Sequence, residues 1–422
     1  MDEQDSLRFL TLDWFLYDLS EESSETVASK EFPAGDLRDS LDGYIRHQKI
    51  QDSQIVQIDC SGEKSEVKSL QELKNIQETV IKYSQKPEKT SLGKLGSSWL
   101  VWGQLMSDEQ SPVKLAQEIC TQLQFEGTSP NWQVDLIAHG PLLGATLYEL
   151  WCPPQAQGEG DSYHLLICLF ESHWRKESLQ KRVGTLLKHC QFLFLYRHKV
   201  VWAFQQSRGF RESLQQASGL VPQVTNQSLD RLEQSVVNLT ELQDHLHQSL
   251  KVLASYAIPL NYLQEQRYTI EINLENYRDR VLKLAAEDSP KPEGEKVGGG
   301  QGQGSSLLFE KFSQFAENKY LRQIERDYSS LSPGLLLIEN SIKAVESLNQ
   351  IEQTRSDRRL NTTLTIASVG VATSAVVATV IVATPPPNRH HLEFQITTTL
   401  VSLILGAVMS VLVWGWLHWQ RK

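Results

Sequence analysis

The sequence predicts an α+β or α/β cytosolic N-terminal domain, a long helical stalk and two C-terminal transmembrane helices. Three patterns predict this. Short apolar runs alternate with amphipathic stretches over residues 1–205, heptad spacing begins at Leu229, and two uncharged apolar runs lie near the end. The 422 residues hold 41 Lys and Arg against 51 Asp and Glu, a net charge of −10, with 40% hydrophobic and 22% charged residues. Those averages exclude wholesale disorder and a many-span membrane protein. The acidic balance excludes bulk electrostatic binding to nucleic acid, which needs a basic face.

The first 205 residues are ample for one core. Candidate strands are Arg8–Tyr17, Ile55–Asp59, Trp99–Leu105, Val134–Ala138, Ala145–Trp151, His164–Phe170 and Gln191–Leu195. Candidate helices are Leu70–Tyr83, Pro112–Leu123 and Glu177–His189, and Lys199–Phe204 reads as a strand or the start of a helix. The N-terminus, Met1-Asp2-Glu3-Gln4-Asp5, lacks the positive-then-apolar order of a secretory leader, so a cytosolic location is expected for this domain. Cys60, Cys120, Cys152, Cys168 and Cys190 show no Cys-x-x-Cys spacing, and their odd number suits reduced thiols used as small buried hydrophobes.

Catalytic signatures are absent: there is no His-Glu-x-x-His, Gly-x-Ser-x-Gly or Gly-x-Gly-x-x-Gly. No enzyme activity and no cofactor are therefore expected. His139-Gly140-Pro141, followed by Leu142-Leu143-Gly144, reads as a turn between two strands. Arg197-His198-Lys199 stands amid apolar residues. It has the charge to receive an anionic ligand, but its default reading is a solvated turn.

Leu229, Leu232, Val236, Leu239, Gln243, Leu246, Leu250, Leu253, Ala257 and Leu260 step 3-4-3-4, a heptad seam that Pro259 disturbs. The rhythm resumes through Ile270, Leu274, Tyr277, Val281 and Leu284. Residues 287–306 are a Gly-rich polar linker whose glycines lack the Lys-Ser/Thr of a phosphate cradle. Beyond it, Ser332-Pro333 reads as an N-cap with Pro at the first helical position, opening one helix from about Ser332 to Ala383. These heptads suit either a bundle within one chain or a homo-oligomer.

Leu364–Ala383 and Ile396–Leu417 are uncharged runs of 20 and 22 residues. As helices they would cover about 30 Å, the thickness of a bilayer core. Arg355, Arg358 and Arg359 before the first run, and Arg421 and Lys422 after the second, place both ends in the cytosol. Gly370, Ser374 and Ala378 form a small-residue row for helix packing. Asn361, Thr365, Ser368, Ala372, Ala375 and Thr379 form a second, partly hydroxylated row. It suits either a pore lining or ordinary packing of one span on the other. In the connector, Asn388, His390, His391 and Glu393 are candidates for an external mouth. The two histidines suggest metal ions as possible partners, and an exposed polar loop is the alternative.

The expected parts are a cytosolic domain (1–205), stalk segment (206–286), linker (287–306), stalk helices (307–363), first span (364–383), external connector (384–395), second span (396–417) and basic tail (418–422). This order resembles the CorA family of divalent-cation channels. The local match is Asp357-Arg358-Arg359-Leu360-Asn361-Thr362-Thr363-Leu364-Thr365-Ile366-Ala367, with a similar basic tail at Trp419-Gln420-Arg421-Lys422. The family's Gly-Met-Asn signature is absent: methionine occurs at positions 1, 106 and 409, and Ala383-Thr384-Pro385-Pro386-Pro387-Asn388 stands in its place. The resemblance implies an oligomeric ion channel or transporter of altered selectivity, in contact with a lipid bilayer. The alternative is a non-conducting, membrane-anchored signalling, scaffold or stress-defence protein.

Overall fold

The computed structural model describes residues 5–19, 28–32, 41–50, 52–62, 67–84, 93–125, 128–154, 162–233, 239–288 and 302–353, with positions 404 and 408. The chain divides into two compact units, Met1–Gly209 with Leu263–Arg326 and Phe210–Tyr262 with Asp327–Lys422.

The first unit is built on one sheet. Its strands are β1 (Ser6–Leu19), β2 (Ala28–Glu31), β3 (Leu41–Ile50), β4 (Ser53–Gly62), β5 (Val67–Ser69), β6 (Gly96–Gln104), β7 (Leu136–Leu142), β8 (Ala145–Cys152) and β9 (Tyr163–Phe170). They run in the order β2-β3-β4-β1-β6-β9-β8-β7, with β5 pairing β1. Only the β6–β9 pairing is parallel among those described. A largely antiparallel sheet makes the class α+β rather than α/β.

Side chains alternate across a strand. On β1, Leu10, Leu12 and Leu16 point to one face and join Val56, Ile58, Val101, Leu165 and Ile167. Helices α1 (Leu73–Ser84) and α2 (Pro112–Gln122) cover that face with Leu73, Ile76, Val80, Leu115 and Ile119. Trp14 stacks on Trp99 there, with ring centroids 4.4 Å apart. A short helical turn, α3 (Trp132–Asp135), leads into β7. The β7–β8 connection is tighter than expected. His139, Gly140 and Pro141 lie within β7, and the turn itself is Leu143-Gly144, with φ of 53° and 71°. The Leu143 N–H donates to Asp288 (2.6 Å), and Arg182 donates to its carbonyl (2.9 Å).

The opposite face is covered by α4 (Lys176–Ser218). Both Gln191–Leu195 and Lys199–Phe204 belong to this helix, so the strand expected at Gln191–Leu195 is corrected. The run is nearly unbroken in apolarity because this stretch of α4 is buried on all sides. A helix buried all round loses its amphipathic period and cannot be told from a strand by pattern.

Among the described residues the second unit is helical. It holds α5 (Val221–Glu233) and parts of α4, α6 (Leu239–Asp288) and α8 (Arg322–Gln353), while α7 (Gly302–Phe315) belongs to the first unit. Leu242, Leu246 and Val345 form a small apolar cluster, backed by Leu250 and Ile342. Polar residues interleave with it: Ser228 lies 2.8 Å from His245 Nε2, and Ser249 and Ser341 are buried. Ser332-Pro333 does not open a helix. A π-helical turn at Ala316–Leu321 leads into α8, which passes through Pro333, as α6 passes through Pro259.

Among the described residues no helix is long and apolar enough to cross a membrane. This corrects the two-transmembrane-helix part of the fold class, the multi-pass membrane localisation, and the membrane and ion-transport assignments that depended on it. Helices α4, α6 and α8 have the length, at 43, 50 and 32 residues, but charged residues recur along each of them. Length alone does not make a span, because each charge left in hydrocarbon is costly. The two runs that suggested the spans, 364–383 and 396–417, lie outside the described residues apart from positions 404 and 408.

Candidate functional site: a polar seam sealed beneath α4

The face of the sheet under α4 carries an unusual row. Tyr44 pairs with Asp59, Asp59 with Asp13, Asp13 with Leu100, Leu100 with Leu166 and Leu166 with Glu149 across six neighbouring strands. Two residues further along their strands, Arg46, Gln57, Ser98 and His164 point to the same face. From α4, Gln191, Arg197, His198 and Lys199 come down onto it.

At one end Arg197 donates to Glu149 Oε1 at 2.6 Å. Its guanidinium lies 4.1 Å from the Phe312 ring and 4.5 Å from Trp151. Both partners are sealed, at 1% and 0% side-chain exposure, so neither charge has water to fall back on. Burial pushes the Glu149 carboxyl up, against the pull of Arg197. Lys199 makes an ion pair with Asp52 at the outer end of the seam.

In the middle, Ser98 Oγ lies 2.7 Å from His164 Nδ1 and 2.7 Å from His198 Nε2, and His164 Nε2 lies 3.2 Å from Glu149 Oε1. Burial holds both imidazoles well below their usual range, so both are neutral. One proton arrangement satisfies every contact. His164 donates to Glu149, Ser98 donates to His164, and His198 donates to Ser98. Gly96, with φ of 144°, lets this happen: a Cβ there would run into the His198 ring.

Ser98, His164 and Glu149 have the order of a nucleophile, a base and an orienting acid. Yet Ser98 is fully buried, and the imidazole N–H of His198 occupies its oxygen. Chemistry on a substrate needs an approach to that oxygen, which α4 covers. The arrangement works as a polar clamp for α4.

At the far end, Gln191 Nε2 donates to Gln57 Oε1 (3.2 Å), and Gln57 Nε2 donates to Asp13 Oδ1 (2.6 Å). Trp102 Nε1 donates to the other Asp13 oxygen at 3.2 Å. Burial lifts Asp13 to about 6 and raises Asp59 well above the carboxylate range.

Sequence reasoning missed this seam. Arg197-His198-Lys199 is not a solvated turn but three buried helical residues, each with a partner across the seam. The legible signal was single polar residues set inside apolar strands: Ser98, His164 and Glu149. The residues singled out for a pore, Asn361, Thr365, Ser368, Ala372, Ala375 and Thr379, lie outside the described residues. So do Gly370, Ser374 and Ala378, and the mouth candidates Asn388, His390, His391 and Glu393. Among the described residues no group of three or more His, Cys, Asp or Glu side chains is placed to hold a metal ion. Cys60, Cys120, Cys168 and Cys190 are free and buried, and Cys152 is half-buried.

Fold and seam together define an α+β protein with a clamped central helix and a separate helical unit. No family model, no curated protein and no solved structure matches the chain.

Proposed function

We propose that this chain is a non-conducting signalling or scaffold protein, a homo-oligomer without enzymatic activity of its own. The carrying observation is the seam. The side chains best suited to chemistry are sealed and spent on seating α4. Assembly is assigned to the helical unit. Leu229, Ile258, Leu336 and Leu337 are 53%, 55%, 57% and 50% exposed there, and all but Leu229 stand off the heptad seam, whose Leu246, Leu253 and Leu260 are buried. A second copy of the same helices would cover these exposed apolar side chains. The ion-channel reading needs membrane-spanning helices, and the described residues supply none.

Two measurements test the proposal on the full chain. Light scattering is expected to give a multiple of the 47.9 kDa chain mass, reduced by Leu336→Glu with Leu337→Glu. A serine-reactive fluorophosphonate is expected to leave Ser98 unlabelled. A strict monomer, or labelling that Ser98→Ala abolishes, overturns the reading.

A further inference from the structure

The unexplained part of the seam is its acidic end. Asp13 is fully buried and stands directly opposite Asp59 in the β1–β4 register. Among the described residues neither carboxyl makes an ion pair. Two adjacent carboxyls, Asp13 sealed and Asp59 half-buried, without a bonded cation cannot both ionise cheaply, so one proton stays between them. Arg46 and Tyr44 of β3 face the pair, with the guanidinium 5.2 Å from the Tyr44 ring. Asp42 of β3 and Cys190 of α4 also act on it. Further along the same seam stand His164, His198, Glu149 and Arg197.

We infer that Asp13 and Asp59 form a proton switch for the seat of α4, read out through Gln57 and Gln191. At neutral pH ionised Asp13 accepts from Gln57, Trp102 and the protonated carboxyl of Asp59. When Asp13 takes up a proton, its new O–H needs an acceptor. The Gln57 amide oxygen supplies it if that amide turns over. Gln57 Nε2 then faces α4, where the Gln191 amide now points its own donor. Two donors cannot face each other, so Gln191 must turn as well, and the contact between sheet and helix is rewired. The Tyr17 hydroxyl bond to the Gln191 carbonyl, 3.1 Å long, ties the same turn of α4 to β1. The inference deepens the signalling reading by naming its input, and it is tested without reference to oligomer mass.

The sign of the stability effect follows from the direction of the shift. Asp13 is raised from 3.8 to about 6, so its contribution is fully present below about pH 4 and lost as pH rises through about 6. His164 and His198, held below 6.5, act oppositely and favour the fold less as pH falls. The difference between variant and wild type isolates the carboxyl pair.

Infrared spectroscopy of the full chain in D2O is expected to show a protonated-carboxyl band at pH 7.5 that Asp59→Asn removes. A second such band is expected to grow between pH 7 and 5 and to be lost in Asp13→Asn. Asp13→Asn is expected to raise the melting temperature at pH 7.5, with the gain vanishing by pH 4.5. Over the same interval hydrogen exchange across residues 188–201 is expected to change in wild type but not in Gln191→Leu. Absence of an Asp59-dependent band at pH 7.5 overturns the switch, and that measurement on the wild type stands even if Asp13→Asn fails to fold. A pH response of α4 that Gln191→Leu leaves intact overturns its link to the helix.

Discussion

Arg197 illustrates how a residue's role follows from its surroundings. By type it belongs on a surface, yet its side chain is 1% exposed and faces a carboxylate that is wholly sealed. The contact persists because breaking it is worse than making it: one buried charge left alone costs about 3–5 kcal/mol. Arg197→Met is therefore expected to destabilise the fold by about that amount in urea unfolding. Adding Glu149→Gln should recover much of the loss, because it removes the stranded charge. Additive losses in that double-mutant cycle would show that the two side chains are not coupled. None of this was legible in the sequence. Arg197 and Glu149 are 48 positions apart, and a basic tripeptide is far more often solvated than buried. What could be read was the continuous apolar run of β9, Tyr163–Phe170, in which His164 is the one strongly polar side chain.

Strands were legible as short apolar runs bounded by polar residues, and helices where one face is wet. The strands around Arg8–Tyr17, Trp99–Leu105, Ala145–Trp151 and His164–Phe170, and the helices α1 and α2, fall close to the spans read from the sequence. Helices mislead where tertiary context overrides local rules. Pro333 reads as a helix start, yet α8 continues through it. A proline inside a helix lacks the N–H that would bond the carbonyl one turn back, and its ring disturbs the bonds around it. The carbonyl Pro333 leaves without a helical donor is that of Ser329, and at the same turn the Tyr256 hydroxyl of α6 donates to the Leu331 carbonyl at 2.7 Å. The approach depends on Gly334, where an added Cβ would collide with the Tyr256 hydroxyl. Gly334→Ala is thus expected to destabilise the helical unit although alanine is the better helix former, reversing the usual gain of about 1 kcal/mol. Adding Tyr256→Phe to Gly334→Ala should restore part of the loss by removing the colliding oxygen. Unfolding followed by circular dichroism checks both, and a gain in stability from Gly334→Ala alone would contradict the crossing.

At the scale of the molecule the two units have different kinds of interior. The sheet unit closes over a continuous apolar core between the strands and α1 and α2, from Leu7 and Leu12 to Leu165 and Ile167. Among its described residues the helical unit gathers fewer apolar side chains and threads Ser228, His245, Ser249 and Ser341 among them. Local opening is governed by how much apolar contact must be broken, so cores of unequal depth open at unequal cost. Native-state hydrogen exchange should therefore rank the amides. Those of β1, β6 and β9 should exchange last, through global unfolding. Those of α5 and of residues 327–353 should exchange by cheaper local opening, on the order of a few kcal/mol below the sheet. Replacing Leu12 by alanine should cost about 2–5 kcal/mol and accelerate the strand amides, while leaving the opening of α5 nearly unchanged. If instead every amide slowed and quickened together, the chain would be one cooperative body. A change at the seam under α4 would then be felt equally everywhere, rather than first in the helix it holds.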